Sequence, residues 1–443
     1  MGDASGVVVG GGGEAGGGER WGSAGSAALL ERPTVAPIAP GERIASMDVL
    51  RGVALLGILP MNLQTGFALV AAAYFNPAVD GGFDGANRAV WLGTHVIFDM
   101  KMMAIFSMLF GAGLVVMTER ADAAGAPLAG RYYRRLGWLA LIGFLHAYLL
   151  WFGDILFMYA LCGMLLYPVR RLRAGWLIAV GALVLPAAML IAQASAAFFE
   201  QARAEMPEVW AEMLRGFAPT AEDVAKETAR RGALSLGLLA WNAGTAASMH
   251  LVMFPTWGLW RITGLMLIGM GLMKMGVFSA ARSARFYVLM GAIGYGVGAP
   301  LVWIGALRTE AAGFDPVYIF RAGWNYNYFG SVGVALGHTA VVMLLCREGR
   351  LGALGRGLAA VGRTALSNYL LQTLICLTLF SGFGLFSRLD RVELMGVMLA
   401  IWAAQITAST AWLRAGMLYG PAEWAWRSLT YGRVQPLRGA TAA

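Results

Sequence analysis

The sequence predicts an all-α protein, a polytopic transmembrane helix bundle of about ten spans with both termini cytoplasmic. Three observations predict it. Hydrophobic residues make up 58% of the 443 and charged residues only 13%, about half the charged share of a soluble domain. The apolar residues gather into runs near the ~20 residues a helix needs to cross a bilayer. The basic residues collect in short connections on one side of those runs, so the net charge of +9 reflects membrane orientation and does not point to nucleic acid.

In chain order, residues 1–42 are rich in Gly, Ala and Pro, bury too little to order themselves, and read as a disordered tail. A secretory signal is not expected, because Asp3 replaces a basic start and glycine fills the place of an apolar core. Residues 43–433 form a single transmembrane domain, and 434–443 a short tail. Spans are expected near 49–72, 100–118, 135–152, 154–169, 175–194, 252–273, 286–307, 328–346, 366–386 and 394–413. The third and fourth, separated by Phe152-Gly153, must form a tight hairpin. Arg131, Arg134 and Arg135, then Arg170, Arg171 and Arg173, then Lys274, Arg282 and Arg285 fall on one side of such a bundle. So do Arg347, Arg350, Arg356 and Arg363, and the arginines after 413. An eleventh span at 234–251 would place the later basic loops on the opposite side, so ten is retained.

The longest stretch on the other side is 195–248. Phe199, Ala202, Met206, Val209, Trp210, Met213 and Phe217 recur at helical spacing among acidic residues and Arg203, which predicts an amphipathic helix. It is read as an outer interfacial helix or as a lid on a substrate cavity. Cys162, Cys346 and Cys376 lie in or beside apolar runs without metal spacing and read as packing residues.

Polar groups at membrane depth are expensive to bury and are the functional candidates. Asp48 and Arg51 share a helix face at the start of span one, and Asn62 lies eleven residues beyond the arginine. The pair is either a salt bridge at the helix start or a holder for an anionic group such as the phosphates of coenzyme A. Asp99 and Lys101 open span two, at positions that point to different helix sides. His95 precedes them. His146 lies inside span three, and Asp154 opens span four, where its carboxylate suits the helix dipole. His146 is a proton-transfer candidate or a satisfied packing histidine. Tyr159 follows on span four. Asn368 and Gln372, four apart, either hydrogen-bond between helices or line a polar cavity. His250 and His338 have only packing roles. The 419–432 stretch, with Pro421, Trp424, Trp426 and Arg427, reads as a surface helix on the inner face. There is no nucleotide-binding glycine loop, zinc spacing or serine elbow, which excludes ATP-driven transport and soluble hydrolysis as readings.

These motifs resemble the YeiB family of bacterial inner-membrane proteins. The resemblance rests on Asp48 to Gly52 with Asn62, Lys101 to Gly113, His146 through Asp154 to Tyr159, Gly362 to Gln372, and Tyr419 to Arg433. A more distant similarity is to the transmembrane acyltransferase superfamily. Its bacterial sugar O-acyltransferases show an arginine in span one and a histidine eleven residues on. Arg51 matches the arginine, and Asn62 stands where the histidine would be. The lysosomal enzyme that acetylates heparan glucosamine is similar at both positions and carries its histidine after span one. His95 falls in that stretch, although its spacing to Asp99 departs from that enzyme's pattern. His146 is therefore the first candidate and His95 the second.

The resemblance implies transfer of an acyl group from cytoplasmic acyl-coenzyme A to an extracytoplasmic glycan or lipid acceptor, in the bacterial inner membrane. Arg51 and Asp48 would hold the donor and His146 would act as base, with Asp154 beside it. Lys101 or Asn62 would steady the oxyanion. His95, Asp99, Tyr159, Asn368 and Gln372 would line the path. No resident cofactor or metal is expected; the partners are membrane lipids, and the oligomeric state is left open. A transporter or exporter without group transfer is the alternative, and a purely structural subunit a third reading.

Overall fold

The computed structural model describes residues 44–439, and the expected tail at 1–42 lies outside them. The described residues fold as helices, with one isolated bridge between Met417 and Arg438. Helix α1 (Ala45–Asn62) runs into a π turn at Leu63–Phe67, just after Pro60, which lacks the N–H the ladder needs. Helices α2 (Gly85–Ile97) and α3 (Lys101–Ala123) are parted at Met100, a non-glycine residue in the left-handed region at φ 62°. Helices α4 (Ala129–Leu149) and α5 (Leu156–Leu166) form the expected hairpin. Gly143 lies directly on the backbone of Phe157, where a Cβ would collide.

Helices α6 (Ala174–Val184) and α7 (Ala187–Glu205) meet at Pro186. The amphipathic helix expected beyond 195 is not one rod. It is the end of α7, a break at Met206, then α8 (Pro207–Leu214) with proline at its first position. Phe199 and Phe217 turn inward onto Phe320 rather than along a shared outer face. Helix α9 (Ala221–Arg231) follows. Helix α10 (Leu236–Ser248) then continues through a π stretch, Met249–Gly258, into α11 (Leu259–Lys274). The apolar 234–251 segment thus prolongs span six into one helical run of 39 residues.

Helix α12 (Ala284–Ala311) packs on the run formed by α13 (Pro316–Tyr318), a π turn at Ile319–Gly323 and α14 (Trp324–Arg347). Gly294 and Gly298 lie on the backbone of Gly330, Gly333 and Gly337, the close approach small residues permit. Helix α15 (Gly352–Arg363) turns at Thr364 into α16 (Ala365–Cys376), which ends in a π stretch, Leu377–Gly382. Helix α17 (Arg391–Arg414) opens with a capping box of Asp390 and Glu393, and α18 (Pro421–Tyr431) closes the bundle.

Among the described residues, eight helical runs are long and apolar enough to cross a membrane, and α5 is a shorter apolar helix. Their outward residues include Leu183, Leu190, Leu289 and Val297, all exposed, as a lipid-facing surface requires. The connections gather at two ends. At the basic end, Ser46 donates to the carbonyl of Phe278, Lys274 to that of Leu172 and Trp426 to that of Arg135, while Arg171 pairs with Asp122. At the opposite end, Ser387 donates to Ala68, Arg391 to Gly81 and Arg231 to Leu69, and Arg203 pairs with Asp315. Both ends of the described chain lie at the basic end.

Candidate functional site

A cavity of about 350 Å³ lies at the basic end. Two glycine contacts build one wall. Gly52 of α1 lies on the carbonyl of Leu358, and Gly362 of α15 on the carbonyl of Asp48, so two of the sequence motifs meet backbone to backbone. The lining includes six arginines (Arg51, Arg120, Arg131, Arg135, Arg363 and Arg427) and two carboxylates (Asp48 and Glu423). Arg51 pairs with Asp48 at 2.7 Å, the helix-start bridge, and still faces the cavity. The guanidinium of Arg135 lies 3.7 Å from the Trp426 ring centre and that of Arg427 4.4 Å from Tyr419, so aromatic faces hold both cations in place. Glu423 caps the start of α16, accepting from the N–H groups of Leu366 and Ser367 and from the Ser367 hydroxyl. Burial pushes the Glu423 carboxyl above the usual range.

Away from the arginines the walls are apolar, from Leu55 and Ile58 to Phe106, Leu109 and Leu139. Lining residues on α3 run from Phe106 to Arg120, about 21 Å along a helix. Tyr159, Ile155 and Tyr369 form part of the inner wall. Tyr159 shares a hydrogen bond of 2.8 Å with Ser107.

Behind Tyr369 stands His146, its ring centre 5.2 Å from that of the tyrosine. His146 and Asp154 are 2% and 0% exposed. Nδ1 of the histidine lies 2.8 Å from Asp154 Oδ2, and Nε2 lies 2.9 Å from the hydroxyl of Thr373. Asp154 Oδ1 accepts from the N–H of Phe157, the helix-start role expected of it. With Asp154 ionised and His146 neutral, Nδ1 donates to the carboxylate and Nε2 is left to accept from the Thr373 hydroxyl.

The remaining predicted residues sit elsewhere. Lys101 is fully buried and donates to the carbonyl of His95 at 2.7 Å and to Asn327 Oδ1 at 2.6 Å. Asn327 donates on to Asp99 at 2.6 Å, and Asp99 lies 3.1 Å from His95 Nδ1. Asp99 and Lys101 were expected to point apart. They meet through Asn327 of α14, which accepts from Lys101 and donates to Asp99, with the left-handed Met100 between them in the chain. His95, Asp99 and Asn327 line a second, smaller pocket of about 60 Å³ with Tyr74, Trp91 and Trp324. Asn368 donates to Ser409, and Gln372 to Gln405, which ties α16 to α17. Asn62 ends α1, half-buried, ahead of the π turn. The groups expected along one shaft are thus divided: Arg51 at the basic-end cavity, His146 beyond its inner wall, Lys101 in the second network, and the amides between helices.

Sequence reading missed Thr373, Asn327 and Arg261. Arg261, fully buried in span six, donates to the Tyr328 carbonyl and to Ser331 at 2.7 Å. An arginine inside an apolar run was the signal for it; the other two are ordinary polar residues until α14 and α16 are packed.

Residues 272–433 match a family described as a protein of unknown function, DUF418. The uncharacterized protein YeiB of Escherichia coli (strain K12) is 32% identical over 422 residues, covering 89% of this chain and 98% of that protein. The uncharacterized protein YxaH of Bacillus subtilis (strain 168) is 28% identical over 424 residues, with 90% and 97% covered. A 39.9 kDa protein in the amylase 3' region of Bacillus acidopullulyticus is 26% identical over 415 residues, with 90% and 97% covered. No solved structure matches the chain. The end-to-end match to the Escherichia coli protein, on a bundle whose motifs meet around one cavity, means that this chain belongs to the YeiB family.

Proposed function

We propose that this protein is an integral acyltransferase of the bacterial inner membrane, with its basic end cytoplasmic. It draws acyl-coenzyme A into the arginine-lined cavity and passes the acyl group to a glycan or lipid acceptor on the other side. One observation carries the reading. A cavity lined by six arginines and, away from them, by apolar walls, and followed along α3 for about 21 Å from Phe106 to Arg120, reaches Tyr369, behind which an aspartate-held histidine stands. Such a cavity suits an anionic head with a long, largely apolar arm, and coenzyme A is one. The arginines bind phosphate oxygens, and His146 moves the proton that acyl transfer requires. Membrane lipid is both the surroundings and a source of acceptors. The test is transfer of a radiolabelled acetyl group from acetyl-coenzyme A by protein in nanodiscs, with lipid and glycan acceptors supplied. Full activity in His146→Ala removes that residue from the mechanism.

A second reading, carriage of a small molecule without group transfer, draws on the pockets at the two ends of α3 and the packed layer between them. That layer includes Met102 against Gly57. Coenzyme A release without product, with unchanged solute flux, favours hydrolysis over both; flux of an intact solute favours carriage.

A further inference from the structure

We infer that Thr373 is a nucleophile that carries the acyl group as an ester, which rests on the acyl-transfer reading and names a covalent step within it. The first observation is the chain Asp154–His146–Thr373, with 2.8 Å and 2.9 Å links on the two ring nitrogens. A nucleophile in reach of a base, itself oriented by a third group, is the signature of covalent catalysis by a hydroxyl.

The second observation is where threonine hydroxyls go elsewhere in this molecule. Nine others, including Thr118, Thr245, Thr339 and Thr364, donate to a carbonyl four residues earlier in their own helix. That bond is the default for a threonine in an apolar helix. The hydroxyl of Thr373, 1% exposed, instead crosses from α16 to His146 on α4. That bond satisfies the buried Nε2 of His146 and sets the Thr373 hydroxyl apart from those nine.

The third is position. Tyr369 stands one turn before Thr373 on α16 and is itself a wall of the basic-end cavity. The Tyr369 ring thus stands between the cavity and the His146–Thr373 pair.

In the step, Thr373 Oγ1 attacks the thioester carbonyl carbon while its proton passes to His146 Nε2. The carbon–sulfur bond breaks, and sulfur leaves with that proton as the free thiol. The acceptor's hydroxyl or amine then attacks the threonine ester and gives its proton to Nε2. That proton returns to Thr373 as the ester bond breaks.

The experiment uses the full chain in nanodiscs and two probes. An alkyl fluorophosphonate reports an activated hydroxyl whatever the natural donor, since a phosphorus–oxygen bond forms and fluoride leaves. Radiolabelled acetyl-coenzyme A reports the donor. Mass spectrometry is expected to find both groups on the peptide carrying Thr373. Thr373→Ser should keep the label, and the isosteric Thr373→Val should lose it while still unfolding cooperatively, at a melting temperature lowered only by the unpaired His146 nitrogen. His146→Asn should slow labelling at least a hundredfold, and Tyr369→Ala should speed it. Labelling that survives in Thr373→Val, or no labelling of wild type by either probe, overturns the inference. Acetyl transfer with no adduct on Thr373 also overturns it and leaves the acyltransferase reading standing. A fluorophosphonate adduct without any use of acetyl-coenzyme A keeps the nucleophile and discards that donor.

Discussion

The bundle holds two aspartate–histidine pairs that look alike as pairs and differ in everything around them. Asp154 meets His146 at 2.8 Å, and Asp99 meets His95 at 3.1 Å, each through Nδ1. The first pair is sealed, its other ring nitrogen on Thr373 and its second carboxylate oxygen on a backbone N–H. The second is partly open, with His95 20% exposed against Trp91 at the wall of a small pocket. Its carboxylate is tied through Asn327 to Lys101, with Arg261 close by. Pairing therefore does not assign a role. What the far nitrogen faces, and what else neutralises the carboxylate, does. The sealed pair holds His146 between fixed partners on both ring nitrogens, and the open pair joins its carboxylate to a buried network that includes Lys101.

Four outcomes sharpen or break that contrast. The largest is kinetic. His146→Asn should cut acyl transfer by about 10²–10⁴-fold, the usual worth of a positioned base, while His95→Gln changes it less than about fivefold. The reverse order would exchange the roles of the two pairs. Next is stability. Lys101→Met leaves the buried Asn327 Oδ1 and the His95 carbonyl without their donor and should cost about 1–3 kcal/mol, read as a lowered melting temperature. Adding Asp99→Asn should recover part of it; no recovery would mean the two residues are not energetically linked.

A smaller effect belongs to Arg51, which faces the basic-end cavity and neither pair. Arg51→Ala should weaken coenzyme A binding by about tenfold at low salt and less at high salt, about the worth of one charged hydrogen bond. Salt-independent binding would remove phosphate recognition from the cavity. The smallest concerns Glu423, a buried carboxylate with no histidine. Its pKa is raised in the fold, so the unfolded chain binds fewer protons between the two values. Its contribution is full below the ordinary carboxyl range and is lost as pH rises through the folded value. Wild-type stability should fall over that rise, and Glu423→Gln should flatten the profile. An unchanged slope in the variant would place the titration elsewhere.

The sequence made the bundle legible because the apolar run and the basic loop are local signals. Asp48–Arg51 and Asn368–Gln372 were legible as helix-face pairs for the same reason, and the former is a bridge of 2.7 Å. What one face could not reveal was its partner. Gly52 and Gly362 are 310 positions apart in numbering, and only packing puts Asp48 under Gly362. Thr373 gives no local sign that its hydroxyl leaves its own helix. Asp99 and Lys101 were read as pointing to different sides, and what one face could not name was Asn327, the side chain through which they meet. The break at Met206 was foreshadowed by Pro207 but outweighed by the aromatic periodicity, whose rings turn inward.

The measurement that bears most directly on this account is a titration of the purified protein with coenzyme A, followed by thermal unfolding in nanodiscs. A ligand bound by the native state must raise its melting temperature with concentration. The account predicts a saturable rise that salt weakens and that Arg51→Ala with Arg135→Ala abolishes, while His95→Gln leaves it intact. No rise at saturating coenzyme A, or an equal rise in the double variant, would contradict it.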